Sequence, residues 1–543
     1  MKIRGVALVI LWILAFQLRA QTPGRPVPYS FSLYQQLDAS VYYHQSRFHS
    51  AVKPYFEDDS LIRERAAALL YPANDSIPRS WMARKIFREH LIDIRGLDHT
   101  IYADFLPDMM LGKDYSQNSS TWINSRGFQL GGTVGNRFSF YTSGFENQGR
   151  FPGYYERYIH SSWIVPGQSY DRALKREGSR DWSYVTALLT YTPVKYLNIT
   201  AGHNKNFIGD GYRSMILSDF ASGYPFLKLT GRVGSFQYMA MWASMQDPGA
   251  EKVSYEAGNR KKGGVFHYLD WNISNRLSVG LFDAVIWTQQ DDLGNRRGFD
   301  WTYANPLIFL RPLEAENGSP DNALMGINLK CEAFRKGAVY GQFLLDEFQA
   351  SNFFKRNGPS GNKWGVQAGI RGADLFGTNR LNYLLEFNAS RPYTYTSRSR
   401  IISYSHYNEP LAHPFGANFR ELVGKLQYSL GRFELNGQVN LAAYGSDLNQ
   451  YTHFGKNIFL PYPNETRNNY IGQGVPTKML YGDGRISFRL NPQSNLRIEA
   501  AGTYRREQNS VLNDRTYWLS VGIRSSFRNM YQDLSSISGL PVR

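Results

Sequence analysis

Seven charged residues in the middle of the chain are the strongest candidates for a polar site. They fall in three stretches of sequence and are Asp210, Arg213, Asp219, Arg311, Glu314, Asp346 and Glu347. On an open surface, carboxylate and guanidinium groups bond sugar hydroxyls, so these residues would form a polysaccharide-binding site. Inside a protein the same groups are tolerated only when paired, which predicts a salt-bridged network filling an interior. Both interpretations stay open from sequence alone.

The sequence offers no recognisable catalytic motif. Asp346 and Glu347 are adjacent, so on a strand they face opposite ways and would not form a glycosidase carboxylate pair. Ser405 and His406 are neighbours in the same way, and neither G-x-S-x-G nor H-E-x-x-H occurs. The single cysteine, Cys331, excludes a disulfide scaffold and a cysteine-cluster metal site. We expect a non-enzymatic protein with no catalytic residue, no metal and no cofactor.

Two glycines flank Asp210, as Gly209 and Gly211. A loop that cradles a phosphate or a metal ion is one interpretation of this spacing. Without a strand before it and a helix after it, however, a two-glycine motif is weak evidence for such a loop. A tight turn that uses positive φ is the interpretation we favour.

From about residue 121 the hydrophobic pattern has a period of two, which predicts β-strands. Near the C-terminus, Leu496, Ile498 and Ala500 alternate with Arg497 and Glu499. Similar alternation occurs at 433–441, 485–490 and 517–528, and short turns join several of these strands. Long polar segments separate others, for example at 246–262, 350–362 and 445–480.

These strands are expected to cross a membrane rather than to form a soluble sandwich. Each is about ten residues long, aromatic residues lie near the strand ends, and short turns alternate with long loops, as in outer-membrane proteins. Because lipid offers no hydrogen bonds, such strands must close on themselves. The expected fold class is therefore all-β transmembrane, a closed antiparallel outer-membrane β-barrel of about 16–18 strands. We place the barrel at residues 121–533 and a C-terminal tail at 534–543.

The N-terminus indicates export. Lys2 and Arg4 precede an apolar stretch, and the small residue Ala20 follows it, which predicts a cleaved signal peptide at residues 1–20. Residues 21–120 are expected to form an N-terminal periplasmic segment. It should contain a helical hairpin, with one helix beginning near Ser60 and a second running from Ser80 to about Ile94.

The charge balance points to anionic partners. The chain has 61 Lys+Arg against 45 Asp+Glu, a net charge of +16. Loss of three basic residues with the signal peptide lowers this to +13. For an exported protein we expect acidic surface polysaccharide or lipopolysaccharide phosphates as partners, and no nucleic acid. We expect a monomer.

Several blocks of sequence resemble the Wzi-like capsule-assembly family of outer-membrane proteins and the RemB-type gliding-motility proteins. The first block, 202–214, reads GHNKNFIGDGYRS. The others read NPLIFLRPLE at 305–314, YGQFLLDEF at 340–348, RPYTY at 391–395 and HYNEPLAHPFGANF at 406–419. The resemblance covers residues 125–530 and does not separate the two families. It implies an outer-membrane barrel that anchors or helps assemble surface polysaccharide, or that supports gliding, without catalysis.

Three alternative functions remain at this point. One is an accessory of gliding or secretion machinery, which would bind envelope motility or secretion proteins. A second is an outer-membrane porin with an open lumen. An embedded hydrolase is the third, and the missing motifs disfavour it.

Overall fold

In this computed structural model, the described residues are 24–71, 80–173, 178–254, 256–291, 293–297, 301–305, 321–346, 358–448, 452–463 and 466–536. The predicted signal peptide lies outside them. Eighteen long strands of this part form one closed antiparallel barrel. They are β1 (His99–Asp114), β2 (Ser119–Val134), β3 (Phe138–Arg150), β4 (Arg180–Val194), β5 (Leu197–Asn204), β6 (Tyr224–Val233), β7 (Phe236–Asp247), β8 (Arg260–Asn272), β9 (Leu277–Thr288), β10 (Asn322–Phe334), β11 (Gly337–Asp346), β12 (Lys363–Gly372), β13 (Leu381–Ser390), β14 (Phe419–Leu430), β15 (Phe433–Ser446), β16 (Val475–Asn491), β17 (Leu496–Gln508) and β18 (Asn513–Arg524).

The barrel closes where β18 pairs with β1. The register places Val521 opposite Leu111 and Trp518 opposite Asp114. This pairing covers only the later half of β1. A short strand, Ile92–Arg95, pairs with Thr100–Ala103 near the start of β1. This second partner extends the hydrogen-bonded seam, because lipid offers the backbone no hydrogen bonds.

The period-two pattern becomes an apolar outer face and a packed inner face. On β18, Tyr517, Leu519 and Val521 are exposed, whereas Thr516 and Trp518, on the opposite face, are buried. The predicted fold class and strand number are confirmed. In the described part of the chain, no helix is both long enough and apolar enough to span a membrane.

The connections differ in length at the two ends of the barrel. At one end they are short, at 135–137, 195–196, 234–235, 273–276, 335–336, 373–380, 431–432 and 492–495. At the other end most are long, with 151–179, 205–223, 289–321, 391–418 and 447–474 the longest. Short turns mark the periplasmic side of outer-membrane barrels and long loops the extracellular side. Both ends of the described chain reach the barrel from the periplasmic side.

Five helices accompany the barrel within the described residues. They are α1 (Phe31–Gln35), α2 (Asp38–Val41), α3 (Ser60–Leu70), α4 (Trp81–Phe87) and α5 (Gly153–Ser162). The predicted N-terminal helices near Ser60 and Ser80 appear as α3 and α4. The Asp59 carboxylate caps α3 by accepting from the N–H of Leu61 at 3.0 Å. We expected α4 to run on to about residue 94, but Ile92–Arg95 is a strand instead, because it completes the seam beside β1.

The N-terminal segment is not wholly periplasmic as expected. Residues of α1 and α2 such as Leu33 and Val41 are buried, and Asp38 of α2 pairs with Arg371, whose side chain enters the lumen from β12. The part of the N-terminal segment that contains α1 and α2 therefore lies inside the barrel. The strands also begin earlier than residue 121, at His99, and end earlier than residue 533, at Arg524. The residues that follow β18 return into the lumen.

The Asp38–Arg371 pair holds the N-terminal segment to the wall, and its removal should be measurable. The two bonds are 3.1 Å and 2.7 Å long and both side chains are buried. Because Arg371→Met leaves a buried carboxylate unpaired, we expect a loss of about 3 kcal/mol in the free energy of unfolding. The double variant Asp38→Leu/Arg371→Met should recover most of this. Urea unfolding in detergent, followed by gel mobility, measures both.

The exposed pair Asp93–Arg95 provides a matched control. Arg95→Met should cost less than about 1 kcal/mol, because exposed ion pairs contribute little. Equal losses for Arg95→Met and Arg371→Met would contradict the role assigned to the buried pair.

Candidate functional site

Four segments of the chain fill the lumen. They are the N-terminal stretch 24–57, the β5–β6 loop (205–223), the β13–β14 loop (391–418) and the C-terminal tail (525–536), and most of their side chains are buried. An open barrel of about this many strands contains an aqueous channel. Here the channel is replaced by protein, and the β5–β6 loop carries three of the seven predicted site residues.

The Gly209–Gly211 turn brings the β5–β6 loop against the wall. Gly209 has φ of +141°, which L side chains rarely adopt. A Cβ on Gly211 would lie 2.2 Å from Oε2 of Glu386, which faces the lumen from β13. Glu386 accepts the N–H groups of Tyr212 at 2.8 Å and Arg213 at 3.1 Å. The two glycines therefore serve a tight turn with close backbone approach, as we favoured from the sequence.

Asp210 is fully enclosed by the N-terminal segment and the wall. Its carboxylate accepts from the hydroxyls of Tyr42 at 3.0 Å and Ser50 at 2.5 Å, and from the amide of Asn328 at 3.3 Å. Burial alone would raise the pKa of Asp210, but Lys53, Lys330, Ser50 and Arg371 together outweigh burial and keep the pKa below its ordinary value. Asp210 is thus a charged group that joins the β5–β6 loop to the start of the chain.

Arg213 is the junction of the whole network. Its guanidinium donates to both oxygens of Glu421, at 3.2 Å and 3.0 Å, and to the carboxylate of Asp533 at 2.8 Å. Glu421 belongs to β14 and Asp533 to the C-terminal tail. The ring of Tyr212 lies 4.7 Å from the guanidinium carbon. One side chain therefore ties a loop, the wall and the tail together.

His413, on the β13–β14 loop, extends this junction. Its Nε2 lies 2.8 Å from the carboxylate of Glu421, and its Nδ1 accepts the N–H of Phe415 at 3.1 Å. An Nδ1 that accepts cannot carry a proton, so the imidazole is neutral and donates from Nε2. Burial lowers the pKa of His413 to about 4, although Glu421 opposes the shift.

Asp219 connects the far end of the β5–β6 loop with the tail. Its carboxylate accepts from the hydroxyl of Tyr531 at 2.5 Å and from the amide of Asn529 at 3.0 Å. The ammonium of Lys205 donates to its backbone carbonyl at 2.9 Å. The tail is therefore bonded to the same loop at two points, Arg213 and Asp219.

Asp346, at the end of β11, lies in another part of the lumen. It is fully buried, accepts the N–H of Tyr395 at 2.6 Å and lies 3.4 Å from the ammonium of Lys363. It thus holds the β13–β14 loop to the wall. The other three predicted site residues, Arg311, Glu314 and Glu347, lie outside the described residues.

The described members of the predicted set are brought together as an internal network. Asp210, Arg213 and Asp219 share the β5–β6 loop, and Asp346 anchors the β13–β14 loop. All four are at most 1% exposed, so protein groups occupy the positions that a sugar would need. Sequence reasoning missed their partners, which are Asp38, Arg371, Glu386, His413, Glu421 and Asp533. The polar faces of β12, β13 and β14 were a signal for the wall residues, but nothing in the sequence indicated the pairing.

The extracellular end presents aromatic rings instead. Tyr115 is 57% exposed, Trp163 41%, Tyr170 40% and Tyr470 64%. They lie on the β1–β2, β3–β4 and β15–β16 connections, within the consecutive run of strands from β15 through β18 to β4. Exposed rings offer flat apolar faces with a polar edge, which is typical of binding surfaces. Among the described residues, no group of three or more His, Cys, Asp or Glu side chains is placed to hold a metal ion.

The neutral His413 should make the lumen network sensitive to acid. In the unfolded chain a histidine protonates near pH 6.5, whereas the folded protein resists protonation down to about pH 4. Stability should therefore be complete above pH 6.5 and fall as the pH drops from 6.5 to 4, by about 3 kcal/mol. His413→Gln retains both hydrogen bonds without a titrating group. The urea midpoint of this variant should change less over that pH range than that of the wild type.

The filled lumen should not conduct ions. In planar bilayers we expect wild-type conductance far below that of an open barrel of this size. Gly211→Val should introduce open events, because its side chain would clash with Glu386 and displace the loop. Gly437→Val is the control, since nothing lies within 4 Å of a Cβ there. Steady wild-type conductance would show that the lumen is open.

Comparison with known proteins supports the fold. No protein-family model and no curated protein matches the chain. Among solved structures it is similar to Wzi of Escherichia coli, an outer-membrane protein involved in group 1 capsule assembly and described as a carbohydrate-binding β-barrel. Sequence identity is 14% and the TM-score 0.54, over 92% of this chain and 98% of that chain. Pseudomonas aeruginosa OprD matches with 9% identity and a TM-score of 0.40, over 78% and 94%. The chain shares the barrel fold of Wzi, while the resemblance to gliding-motility proteins stays a prediction.

Proposed function

We propose that this outer-membrane barrel binds surface polysaccharide at its extracellular end and holds it on the cell. The binding is non-enzymatic, needs no cofactor, and is carried out by a monomer. The extracellular loops contact the polymer, and the barrel anchors them in the membrane. A role in assembling the polysaccharide layer, or in gliding over it, is a variant of the same activity.

The filled lumen is the observation that carries this proposal. Four segments occupy the space through which a porin would pass solutes, and buried ion pairs such as Arg213–Glu421 fasten them. Breaking such a pair is costly, so the plug is not a loosely seated gate. With the interior closed, the extracellular face is left as the surface that can act on an external partner.

The exposed rings of Tyr115, Trp163 and Tyr470 suit a sugar polymer. Their flat faces are available for stacking on pyranose rings, and the loops that carry them are rich in hydrogen-bonding groups. E. coli Wzi, whose barrel fold this chain shares, is described as a carbohydrate-binding protein. The low identity means that no individual residue is carried over from that protein.

A serine–lysine contact at the β13–β14 loop resembles catalytic machinery but is inaccessible. Lys262 donates to the hydroxyl of Ser405 at 3.0 Å, an arrangement that can activate a serine nucleophile. Both side chains are at most 1% exposed, and Ser403 also bonds Ser405 at 2.8 Å. This contact therefore supports a structural role, in keeping with a non-enzymatic protein.

Replacing the exposed rings tests the proposal. Cells carrying Tyr115→Ala/Trp163→Ala/Tyr470→Ala should make as much polysaccharide as the wild type but release more of it into the medium. Cell-attached and shed polymer are measured on the same cultures, and surface spreading is scored beside them. Tyr196→Ala, an exposed ring on the periplasmic β4–β5 turn, is the matched control.

The two readouts separate anchoring from gliding. Polymer that moves from cell to medium in the triple variant, and not in the control, supports anchoring. Unchanged attachment with reduced spreading would contradict it and would favour an accessory of the gliding machinery.

A further inference from the structure

Four cations form an outward-facing group on one side of the barrel. They are Arg420 on β14, Lys478 on β16, Arg506 on β17 and Arg515 on β18, and we name them the rim patch. Arg420, Lys478 and Arg515 are exposed, and Arg506 is half-buried. All four lie near the extracellular ends of their strands.

The wall around the rim patch carries no compensating charge. The strands β14–β18 contain six acidic residues, all on the lumen side, and they are Glu421, Glu434, Asp483, Glu499, Glu507 and Asp514. Below the patch the outer face is apolar, with exposed residues such as Leu422, Leu441 and Leu519. The rim patch therefore marks the upper edge of the surface that faces lipid.

Register brings like charges together within the patch. Arg506 lies directly opposite Arg515, and Lys478 pairs with Gln508, two residues from Arg506. In the described part of the chain, no carboxylate lies within 4.0 Å of the nitrogen atoms of these cations. Arg506 donates instead to the neutral side chain of Gln508, at 2.7 Å. Like charges directly opposite on adjacent strands are destabilising, so an external anion would relieve a cost built into the wall.

A groove lies between three of these cations. Its volume is about 470 Å³, and Arg420, Lys478 and Arg506 line its polar side. Its floor includes Ala443, whose small side chain leaves the space open, and the apolar residues Leu422 and Leu480. The groove thus joins a cationic upper part to an apolar lower part, which matches an amphiphile with an anionic head.

We propose that the rim patch binds the phosphorylated headgroup of lipopolysaccharide in the outer leaflet. Arginine matches phosphate oxygens through paired hydrogen bonds, and lysine adds a compact charge. The acyl chains lie on the apolar wall below, against Leu422 and Leu480. A glycolipid fits better than a soluble acidic polymer, because the patch faces sideways toward lipid and continues the apolar belt. This site is separate from the exposed rings and does not depend on the proposed polysaccharide binding.

Neutralising the opposed arginines tests the site. The full-length Arg506→Gln/Arg515→Gln variant, purified in detergent free of lipopolysaccharide, should bind fluorescent deep-rough lipopolysaccharide at least about tenfold more weakly than the wild type. Without lipopolysaccharide the same variant should unfold at a higher urea concentration, because the like-charge contact is gone. Adding lipopolysaccharide should raise the wild-type midpoint and leave that of the variant nearly unchanged.

The matched control removes the same charge elsewhere. Arg276→Gln/Arg335→Gln alters two exposed arginines of the periplasmic turns and should bind as the wild type does. Dephosphorylated lipopolysaccharide should lose most of its affinity for the wild type, and millimolar inorganic phosphate should compete only weakly, because it lacks acyl chains. Three results would each overturn the proposal, namely equal loss in both double variants, no effect of dephosphorylation, or full displacement by inorganic phosphate.

Discussion

A lipid bilayer gives a peptide backbone nothing to bond with, and the rest of this structure depends on that constraint. Strands in lipid must pair on both edges, so β1 through β18 close into a ring, and Ile92–Arg95 pairs with Thr100–Ala103, which β18 does not reach. A ring of this many strands is wide, and its interior surface is polar. Filling that interior with protein requires buried polar groups, and each buried charge then requires a partner. The ion-paired lumen is thus a consequence of barrel size combined with closure.

Arg213 shows how these requirements are met together. It approaches Glu421 with two hydrogen bonds and Asp533 with a third, so one cation neutralises carboxylates from the wall and the tail. Glu386 accepts the backbone N–H of the same residue, which fixes the loop as well as the side chain. A loop held at both backbone and side chain has few alternative positions. For this reason the lumen contents act as a rigid core rather than as a lid, and ligand contacts are left to the outer surfaces.

The strands were predictable from sequence because alternation is a local property. Tyr517, Leu519 and Val521 identify the outer face of β18 without information about the neighbouring strands. The strand number follows from the average length of a strand and its connection. Pairing is not local. Arg213 lies 208 residues from Glu421 and 320 from Asp533. The sequence marked Arg213 and Asp210 as candidates and left their role open between a plug and a sugar site. The position of α2 inside the barrel was missed, because a helix of four residues shows no hydrophobic period and its partner Arg371 lies 333 residues away.

The distribution of charge explains how one barrel can present two different binding surfaces. Inside the lumen, carboxylates such as Glu421 and Asp38 meet guanidinium groups. The chain nevertheless has a net charge of +16, and this excess must therefore lie where no protein carboxylate faces it. Arg506 and Arg515 are such a place, opposed across two strands with an apolar wall beneath them. Unbalanced cations at the edge of a lipid-facing wall attract membrane phosphates, whereas the uncharged rings above them are free for a sugar polymer. In this proposal, the barrel separates the surface that binds membrane lipid from the surface that binds the polymer.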